Sequence, residues 1–268
     1  MKKWIKVVLA ALLAVLTVSS PVLAEDVLSE IVKRGTLRVG MEAGYIPFEM
    51  KDKSGSLTGF DVDMMTAAAK AMGVKVEFIN TEWDGIIPAL LTGKFDIIAS
   101  GMTVTQERNL RVNFAEPYIT IGQTLLIHNS LKGKIKSYAD LNSPKFTVTS
   151  KLGTTGEQAV KRLLSKAKYL SFQTEQEAVL EVINGRAQAF VYDLPFNVSM
   201  AASKGKGKVT HLDTPFTFEP LAWAVRRDDY NFINWLNNFL NQVKNDGTYE
   251  GLYDKWFRKD DWLKNIQE

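Results

Sequence analysis

The sequence predicts a two-lobed α/β protein in which each lobe is a mostly parallel sheet flanked by helices. Strand and helix patterns alternate along the chain after residue 24, and such β-α-β repeats favour parallel sheets. Two extended segments that begin with proline, 117–126 and 215–225, flank the middle of the chain and are expected to form a two-stranded hinge. The predicted lobes are therefore 25–121 with 221–268, and 122–220.

The elements of the first lobe follow from hydrophobic periodicity and from glycines placed where helices stop. Gly73 and Gly93 follow two apolar-periodic segments, and glycine readily adopts the left-handed conformation that ends a helix. In chain order the prediction is strand 37–41, helix 61–72, strand 74–80, helix 85–91 and strand 95–99. This order predicts a largely parallel sheet.

The pattern restarts after Tyr118 and continues to the carboxyl terminus. The predicted elements of the second lobe are strand 123–128, a helical turn at 137–141, strand 146–149, helix 157–166, strand 169–172, helix 174–184, strand 189–192 and a helix from Pro195. A strand at 221–225 and helices at 230–246 and 248–256 follow. We expect these last helices to return to the first lobe and pack on it.

Residues 1–24 have the character of a cleaved export signal. Three lysines precede an apolar stretch at 7–18 that is short for a membrane span, and Ala24 ends a small-residue cleavage site. An uncleaved amino-terminal anchor is the alternative. Because the chain has no cysteine, neither a disulfide nor a lipid-bearing cysteine is available, and we expect a free periplasmic protein.

The basic balance of the whole chain comes from this signal segment. The chain has 33 basic and 30 acidic residues, and three of the lysines lie within 1–24. Removal of that segment leaves 30 residues of each sign and no net charge. The composition therefore gives no support for nucleic-acid binding.

The segment S-G-M-T-V-T-Q-E-R at 100–108 is the strongest functional signal in the chain. It follows a predicted buried strand and offers backbone N–H groups, threonine hydroxyls and the guanidinium of Arg108. Arginine is always charged, and its planar fork binds a carboxylate through two parallel hydrogen bonds. The segment therefore predicts a carboxylate-binding site. The alternative is a solvated helical turn in which Arg108 pairs with a neighbouring acid.

Motifs along the chain resemble those of the periplasmic solute-binding proteins of polar amino-acid ABC importers. Each motif is weak alone, and the resemblance rests on their order and spacing. The motifs are G-T-L-R-V-G at 35–40, Y-I-P-F-E at 45–49, L-T-G-F-D-V-D at 57–63, W-D-G-I-I-P-A-L at 83–90, the segment 100–108, F-A-E-P-Y at 114–118, L-G-T-T-G at 152–156 and Y-D-K-W at 253–256. The resemblance implies a type II periplasmic-binding-protein fold that closes on an L-amino acid, preferably polar or charged, and delivers it to an inner-membrane permease.

The resemblance also implies roles for individual residues in the cleft. Arg108 would hold the ligand α-carboxylate, helped by the backbone N–H groups of Thr103 and Thr155. The carboxylate of Asp193, the carbonyl of Gly101 and the hydroxyl of Thr103 would hold the α-ammonium. Both charged poles of a zwitterion would thus be bound between the lobes.

Three of the cleft residues, Asp193, Tyr45 and Trp83, each have two competing interpretations. Composition alone favours a helix N-cap at Asp193, which precedes Pro195, whereas the resemblance favours contact with the ligand ammonium. Tyr45 and Trp83 lie in loops at strand ends, where α/β sheets place their ligands, and the resemblance implies that they stack on the ligand side chain. Their alternative is a role in the core. A cationic ligand would gain roughly 0.5–2 kcal/mol from such aromatic contact.

The sequence leaves two possible roles open for each of Glu42 and Lys151. Glu42 stands where many relatives carry aspartate, and it could reach a basic or amide ligand terminus or cap the following loop. Lys151 lies beside the G-T-T-G loop at 153–156 and could contact ligand or water. That loop lacks the lysine and the spacing of a P-loop, so a carboxylate at the helix start is favoured over a nucleotide.

We expect no cofactor, no metal and no enzymatic activity. His128 and His211 lie far apart, without metal-ligand spacing or a nucleophile motif, and are interpreted as scaffold residues. The expected protein is a monomer whose partners are an amino acid and a permease. Two alternatives share the fold: a cyclohexadienyl or arogenate dehydratase-like enzyme that uses Asp193 or Glu42 as its acid, and the sensing domain of a receptor kinase or channel.

Overall fold

The computed structural model describes residues 26–266. The predicted export signal and its cleavage after Ala24 lie outside the described residues. Two five-stranded sheets, each flanked by helices, organise the chain. The α/β class and the two-lobed architecture that the sequence predicts are thus confirmed, and "first lobe" and "second lobe" below mean the units built on these two sheets.

The helices and strands alternate along most of the chain. The helices are α1 Val27–Arg34, α2 Phe60–Met72, α3 Trp83–Leu91, α4 Gln106–Asn109, α5 Thr155–Leu163, α6 Glu175–Ile183, α7 Leu194–Ala202, α8 Tyr230–Asn245 and α9 Thr248–Tyr253. The strands are β1 Thr36–Met41, β2 Met50–Lys51, β3 Leu57–Thr58, β4 Lys75–Asn80, β5 Ile97–Ile98, β6 Asn113–Phe114, β7 Ile119–Ile121, β8 Gln123–His128, β9 Thr147–Lys151, β10 Lys168–Phe172, β11 Ala189–Asp193, β12 Val209–Leu212, β13 Glu219–Leu221 and β14 Ala224–Val225. None of the helices that the structure describes has the length and apolar character needed to cross a membrane.

The two sheets share one topology. The strand order is β4-β1-β5-β14-β6 in the first lobe and β10-β9-β11-β8-β12 in the second. In the first sheet β1 pairs in parallel with β4 and β5, and β14 is antiparallel to both of its neighbours. In the second sheet β9 pairs in parallel with β10 and β11, and β8 is the reversed strand. Each sheet is therefore mostly parallel, as predicted.

The reversed strands β8 and β14 each follow one strand of the hinge. The hinge strands β7 and β13 pair with each other in antiparallel fashion, with Ile121 opposite Glu219 and Ile119 opposite Leu221. The predicted pairing of the two proline-started segments is thus confirmed. The chain leaves the first lobe through β7 and returns to it through β13.

The core of the first lobe is completed by the end of the chain. Helix α8 packs on α1, and α9 packs on α2, so the predicted return of the carboxyl-terminal helices is confirmed. Phe232, Leu236 and Leu240 of α8 are buried in this core. In the second lobe, Ala159 and Val160 belong to a separate apolar cluster between α5 and the sheet.

Several element boundaries differ from the prediction. The strand predicted at 221–225 is split, because the backbone N–H of Ala222 donates to Met102 between the hinge pair and strand β14. The helix predicted over 248–256 gives way to a π turn at Asp254–Arg258. Helix α1, the hairpin of β2 and β3, and strand β12 were not predicted. Strands β2 and β3 have two residues each and β12 has four, which is too short for a clear alternating pattern.

Candidate functional site

One cavity between the lobes brings together all nine residues that the sequence singled out. Its walls are formed by Glu42, Tyr45, Trp83, Ser100, Gly101, Thr103, Arg108, Lys151, Thr154, Thr155, Glu175, Tyr192 and Asp193. Most of these residues follow or end strands at the carboxyl edges of the two sheets, where α/β folds place their ligands. Their contact with a ligand stays a prediction.

Arg108 is buried beside this cavity and has no acidic partner among residues 26–266. It lies in α4, whose N-cap Thr105 accepts a hydrogen bond from the Arg108 N–H at 3.1 Å. The guanidinium donates to the carbonyl of Thr103 at 2.9 Å and to that of Gly153, in the other lobe, at 3.3 Å. The predicted alternative, an ion pair with a neighbouring acid, is therefore not present in the described chain.

The loop that carries Arg108 is bound to the hinge. The N–H of Val104 donates to the carbonyl of Pro220 at 2.8 Å, and the N–H of Ala222 donates to the carbonyl of Met102 at 3.0 Å. Thr103 also forms a β-bridge with Leu221. The position of the guanidinium is thus fixed relative to β13.

Asp193 faces Tyr45 across the cavity. It occupies the N-cap position of α7, but its side chain makes no capping hydrogen bond. Instead, one carboxylate oxygen accepts from the hydroxyl of Tyr45 and the other accepts from the Gln123 amide. Burial raises the pKa of Asp193 to about 7, although its hydrogen bond with Tyr45 lowers the pKa. The carboxylate thus lacks a cationic partner in the described chain and is held in the cavity wall.

A cluster of two further carboxylates in the cavity surrounds the Lys151 ammonium. This ammonium forms ion pairs with Glu42 and, at 2.9 Å, with Glu175. The hydroxyl of Tyr192 donates to the same Glu175 oxygen at 2.7 Å. Burial raises the pKa of Glu42 to about 7, and the nearby Lys151 opposes that rise. Lys151 therefore lies in a buried ion-pair network instead of water.

Gly101 allows Tyr45 to pack against the cavity floor. Gly101 has a φ of +51°, and a Cβ placed there would lie 2.1 Å from a Tyr45 ring carbon. The Tyr45 ring stacks on Phe48 with centroids 4.6 Å apart. Any side chain at Gly101 would strain the backbone and displace Tyr45.

Trp83 contacts cations that belong to the protein. Its ring centroid lies 5.3 Å from the Arg108 guanidinium carbon and 5.7 Å from the Lys151 ammonium. Its indole N–H donates to the carbonyl of Gly153 at 3.0 Å. The predicted role of Trp83 as a platform for a ligand side chain stays a prediction.

Helix α5 presents its first turn to the cavity. It begins at Thr155, two residues before the predicted start, because the Thr154 side chain acts as N-cap and accepts from the N–H of Glu157 at 3.3 Å. The first N–H groups of a helix have no partner within the helix and can bind an anion. The N–H of Thr155 is therefore suited to a carboxylate, as the resemblance implies.

Sequence reasoning did not single out Glu175 or Gln123 as site residues. Glu175 begins α6 inside the capping box formed by Thr174 and Glu177, and acidic residues are common in a first helical turn. Gln123 begins β8, immediately after the hinge. The signal available for Glu175 was its position after β10, at the same sheet edge as Lys151.

A pair of buried carboxyl groups lies directly beneath the cavity. Glu49 accepts a hydrogen bond from Ser100, and Asp61 accepts from the N–H of Gly101 and from the hydroxyl of Tyr118, both at 2.9 Å. One oxygen of each carboxyl group has no partner. Burial, followed by the charge of Asp61, raises the pKa of Glu49 well above its usual value, and burial raises that of Asp61 to about 6.

We expect Glu49→Gln to make the protein more stable at alkaline pH. An acid whose pKa is higher in the folded than in the unfolded state loses stability as pH rises above its unfolded pKa. The stability advantage of the variant should grow by up to about 1.4 kcal/mol per pH unit above pH 5, until Glu49 ionises in the folded protein. Chemical denaturation between pH 5 and 9 measures it, with the exposed Glu116→Gln as control. Parallel pH profiles for wild type and Glu49→Gln would contradict this expectation.

Comparisons with known proteins agree with the geometry. Residues 37–259 match the family model described as bacterial extracellular solute-binding proteins, family 3. The chain is 35% identical to a "probable histidine-binding protein" of Neisseria gonorrhoeae, over 97% of each chain.

Two solved structures share both sequence and fold with this chain. A "putative binding component of ABC transporter" from Wolinella succinogenes, solved in complex with lysine, is 56% identical with a TM-score of 0.84, and the match covers 87% of this chain and all of that one. An ancestral amino acid-binding protein, described as a precursor of cyclohexadienyl dehydratase, is 52% identical with a TM-score of 0.82 and the same coverage. Both are named as binding proteins, and both carry the two-lobed fold.

Proposed function

Because the chain belongs to the bacterial extracellular solute-binding proteins of family 3, we propose that it is the substrate-binding component of an ABC importer for amino acids. It binds its ligand in the periplasm, after cleavage of the export signal, and delivers it to an inner-membrane permease. It works as a monomer. The lobes that close on the ligand are 25–121 with 221–268, and 122–220.

The observation that carries this proposal is the buried guanidinium of Arg108, which has no acidic partner in the described chain. The charges of Glu219 and Asp193 act on the guanidinium without forming an ion pair with it. A buried cation without an ion-pair partner is costly, and a ligand carboxylate satisfies it. The N–H of Thr155 completes the carboxylate site. Asp193 then binds the α-ammonium, together with the carbonyl of Gly101 and the hydroxyl of Thr103.

The charges in the cavity favour a cationic side chain. Three carboxylates, Asp193, Glu42 and Glu175, line the cavity together with two cations, Arg108 and Lys151. When all five groups are ionised, the cavity has one excess negative charge. The α-ammonium and α-carboxylate of an amino acid cancel each other and leave this excess unchanged. A positively charged side chain near Glu42 and Glu175 balances it, and the lysine bound in the Wolinella protein is consistent with this choice.

Closure of the lobes encloses the ligand. Five polar contacts already cross between the lobes near the cavity: Tyr45 with Asp193, Trp83 and Arg108 each with Gly153, Gln176 with Gly44, and Lys151 with Glu42. The ligand enters the open form, and its contacts with both walls favour the closed form. The permease then recognises the closed protein.

We expect calorimetry to identify one cationic amino acid as the ligand. The protein is unfolded, freed of bound ligand, refolded and titrated with a panel of amino acids and with prephenate and arogenate. One-to-one binding of lysine, arginine or histidine at micromolar or lower Kd, which corresponds to about −8 kcal/mol or better, supports the proposal. No amino-acid binding, with product formed from prephenate or arogenate, would instead establish a dehydratase.

A further inference from the structure

Lys151 places a cation of the protein itself in the acidic part of the cavity. Its ammonium contacts Glu42 and Glu175, and only 3% of its side chain is exposed. A ligand with a cationic side chain would seek the same two carboxylates. The Lys151 ammonium and the cationic group of such a ligand would therefore compete for the carboxylates of Glu42 and Glu175, or share them.

The ion pair between Lys151 and Glu42 also joins the two lobes. Lys151 ends β9 of the second sheet, whereas Glu42 directly follows β1 of the first sheet. Of the ion pairs recorded between residues 26 and 266, it is the one that crosses the cleft. Glu175 lies in the second lobe with Lys151, so the ammonium is attached to its own lobe even when the cleft opens.

We propose that Lys151 determines specificity by competing with the cationic side chain of the ligand for Glu42 and Glu175, and that it holds the lobes together before ligand arrives. The first half rests on the proposed function, since it takes the ligand to be a cationic amino acid. Lys151 neutralises one of the two carboxylates and can donate to a neutral polar side chain. Lys151 thereby weakens the binding of cationic amino acids and reduces the difference in affinity between cationic and neutral amino acids.

The matched test of specificity is Lys151→Met, with Lys161→Met as control. Methionine is unbranched and close to lysine in length, so it fills similar space without charge. At pH 8 we expect the ratio of the glutamine Kd to the lysine Kd to rise at least tenfold in the variant, because loss of the cross-lobe ion pair affects both ligands alike and cancels in this ratio. Lys161 is 62% exposed in its side chain and pairs with Glu157, so its substitution should leave that ratio unchanged.

The second half of the proposal is tested without any ligand. Small-angle X-ray scattering of refolded, ligand-free protein should give a larger radius of gyration for Lys151→Met than for wild type or Lys161→Met. Glu42→Gln removes the cross-lobe partner and leaves Glu175 in place, so it should open the protein in the same way. This variant also keeps the test decisive if Lys151→Met does not fold.

The outcomes separate this inference from the proposed function. If Lys151→Met weakens lysine and glutamine by the same factor, Lys151 has only a structural role and the specificity half is overturned. If ligand-free Lys151→Met and Glu42→Gln are as compact as wild type, the closure half is overturned. If wild type binds no amino acid at all, the proposed function and the specificity half fail, while the scattering comparison still decides the closure half.

Discussion

Arg108→Ala is expected to weaken amino-acid binding by about three orders of magnitude or more. Two charge-assisted hydrogen bonds from the guanidinium to a carboxylate contribute roughly 1.5–3 kcal/mol each. Alanine also removes the counter-charge of the ligand carboxylate and leaves that anion in a closed cavity. Calorimetric titration with the ligand found for wild type measures the loss.

The fold should tolerate this substitution. Arg108 has no ion-pair partner in the described chain, and its two acceptors are backbone carbonyls. We expect the free energy of unfolding to change little, because alanine removes the two hydrogen bonds of the guanidinium together with the cost of burying a charge that has no ion-pair partner. Arg108→Lys, which keeps the charge but loses the planar fork, should bind with intermediate affinity. Micromolar binding retained by Arg108→Ala would refute the role assigned to the guanidinium.

Asp193→Asn should weaken the binding of amino acids by more than about 100-fold at pH 8, while leaving binding of the ligand's des-amino analogue nearly unaffected. Removing one partner of a buried charge pair typically costs about 3–5 kcal/mol. The des-amino analogue has no ammonium, so it makes no use of the Asp193 charge. Asparagine keeps an oxygen that can accept from Tyr45 or Gln123, which limits the effect on the fold. Equal weakening of both ligands would contradict the proposed orientation.

The same residue predicts how affinity depends on pH. The pKa of Asp193 is raised to about 7 in the ligand-free protein, chiefly by burial, and an ammonium binds its ionised form. Below pH 7 this carboxyl must release a proton before it binds, so Asp193 alone should raise the Kd of wild type by up to tenfold per pH unit. In Asp193→Asn this contribution disappears, and the remaining pH dependence reports on Glu42, whose pKa is also raised to about 7. Titrations at pH 5, 6, 7 and 8 separate the two.

The fold could be predicted from the sequence because its strands and helices alternate, and because glycines and prolines mark several of their boundaries. Gly73 ends α2 in the left-handed conformation, as its position predicts, and the proline-started segments pair as β7 and β13. Boundaries were less predictable where tertiary contacts decide them. The split between β13 and β14 depends on a hydrogen bond from Ala222 to Met102, a residue about 120 positions earlier, which local periodicity does not reveal.

The site was predictable where a charged residue ends a strand or lies in the segment that directly follows a buried strand. Arg108 and Asp193 fall into this class, and the structure places both at one cavity. The network around Lys151 was not predictable, because its partners Glu42 and Glu175 come from two lobes and are 133 positions apart in the chain. Likewise, Glu49 and Asp61 belong to motifs of the sequence, but only their burial reveals them as a carboxyl pair.

The path of the chain through the hinge sets the order in which the two lobes can fold. Every strand of the second sheet lies between β7 and β13, so that lobe has its whole sheet once residue 212 has been synthesised or exported. The first sheet is incomplete until β14 is available, and its core is incomplete until α8 and α9 are available. Because the loop carrying Arg108 docks on residues 220–222, the carboxylate site is assembled late, when nearly the entire chain has emerged. A chain truncated before β13 would thus keep a complete second sheet and lack a functional binding site.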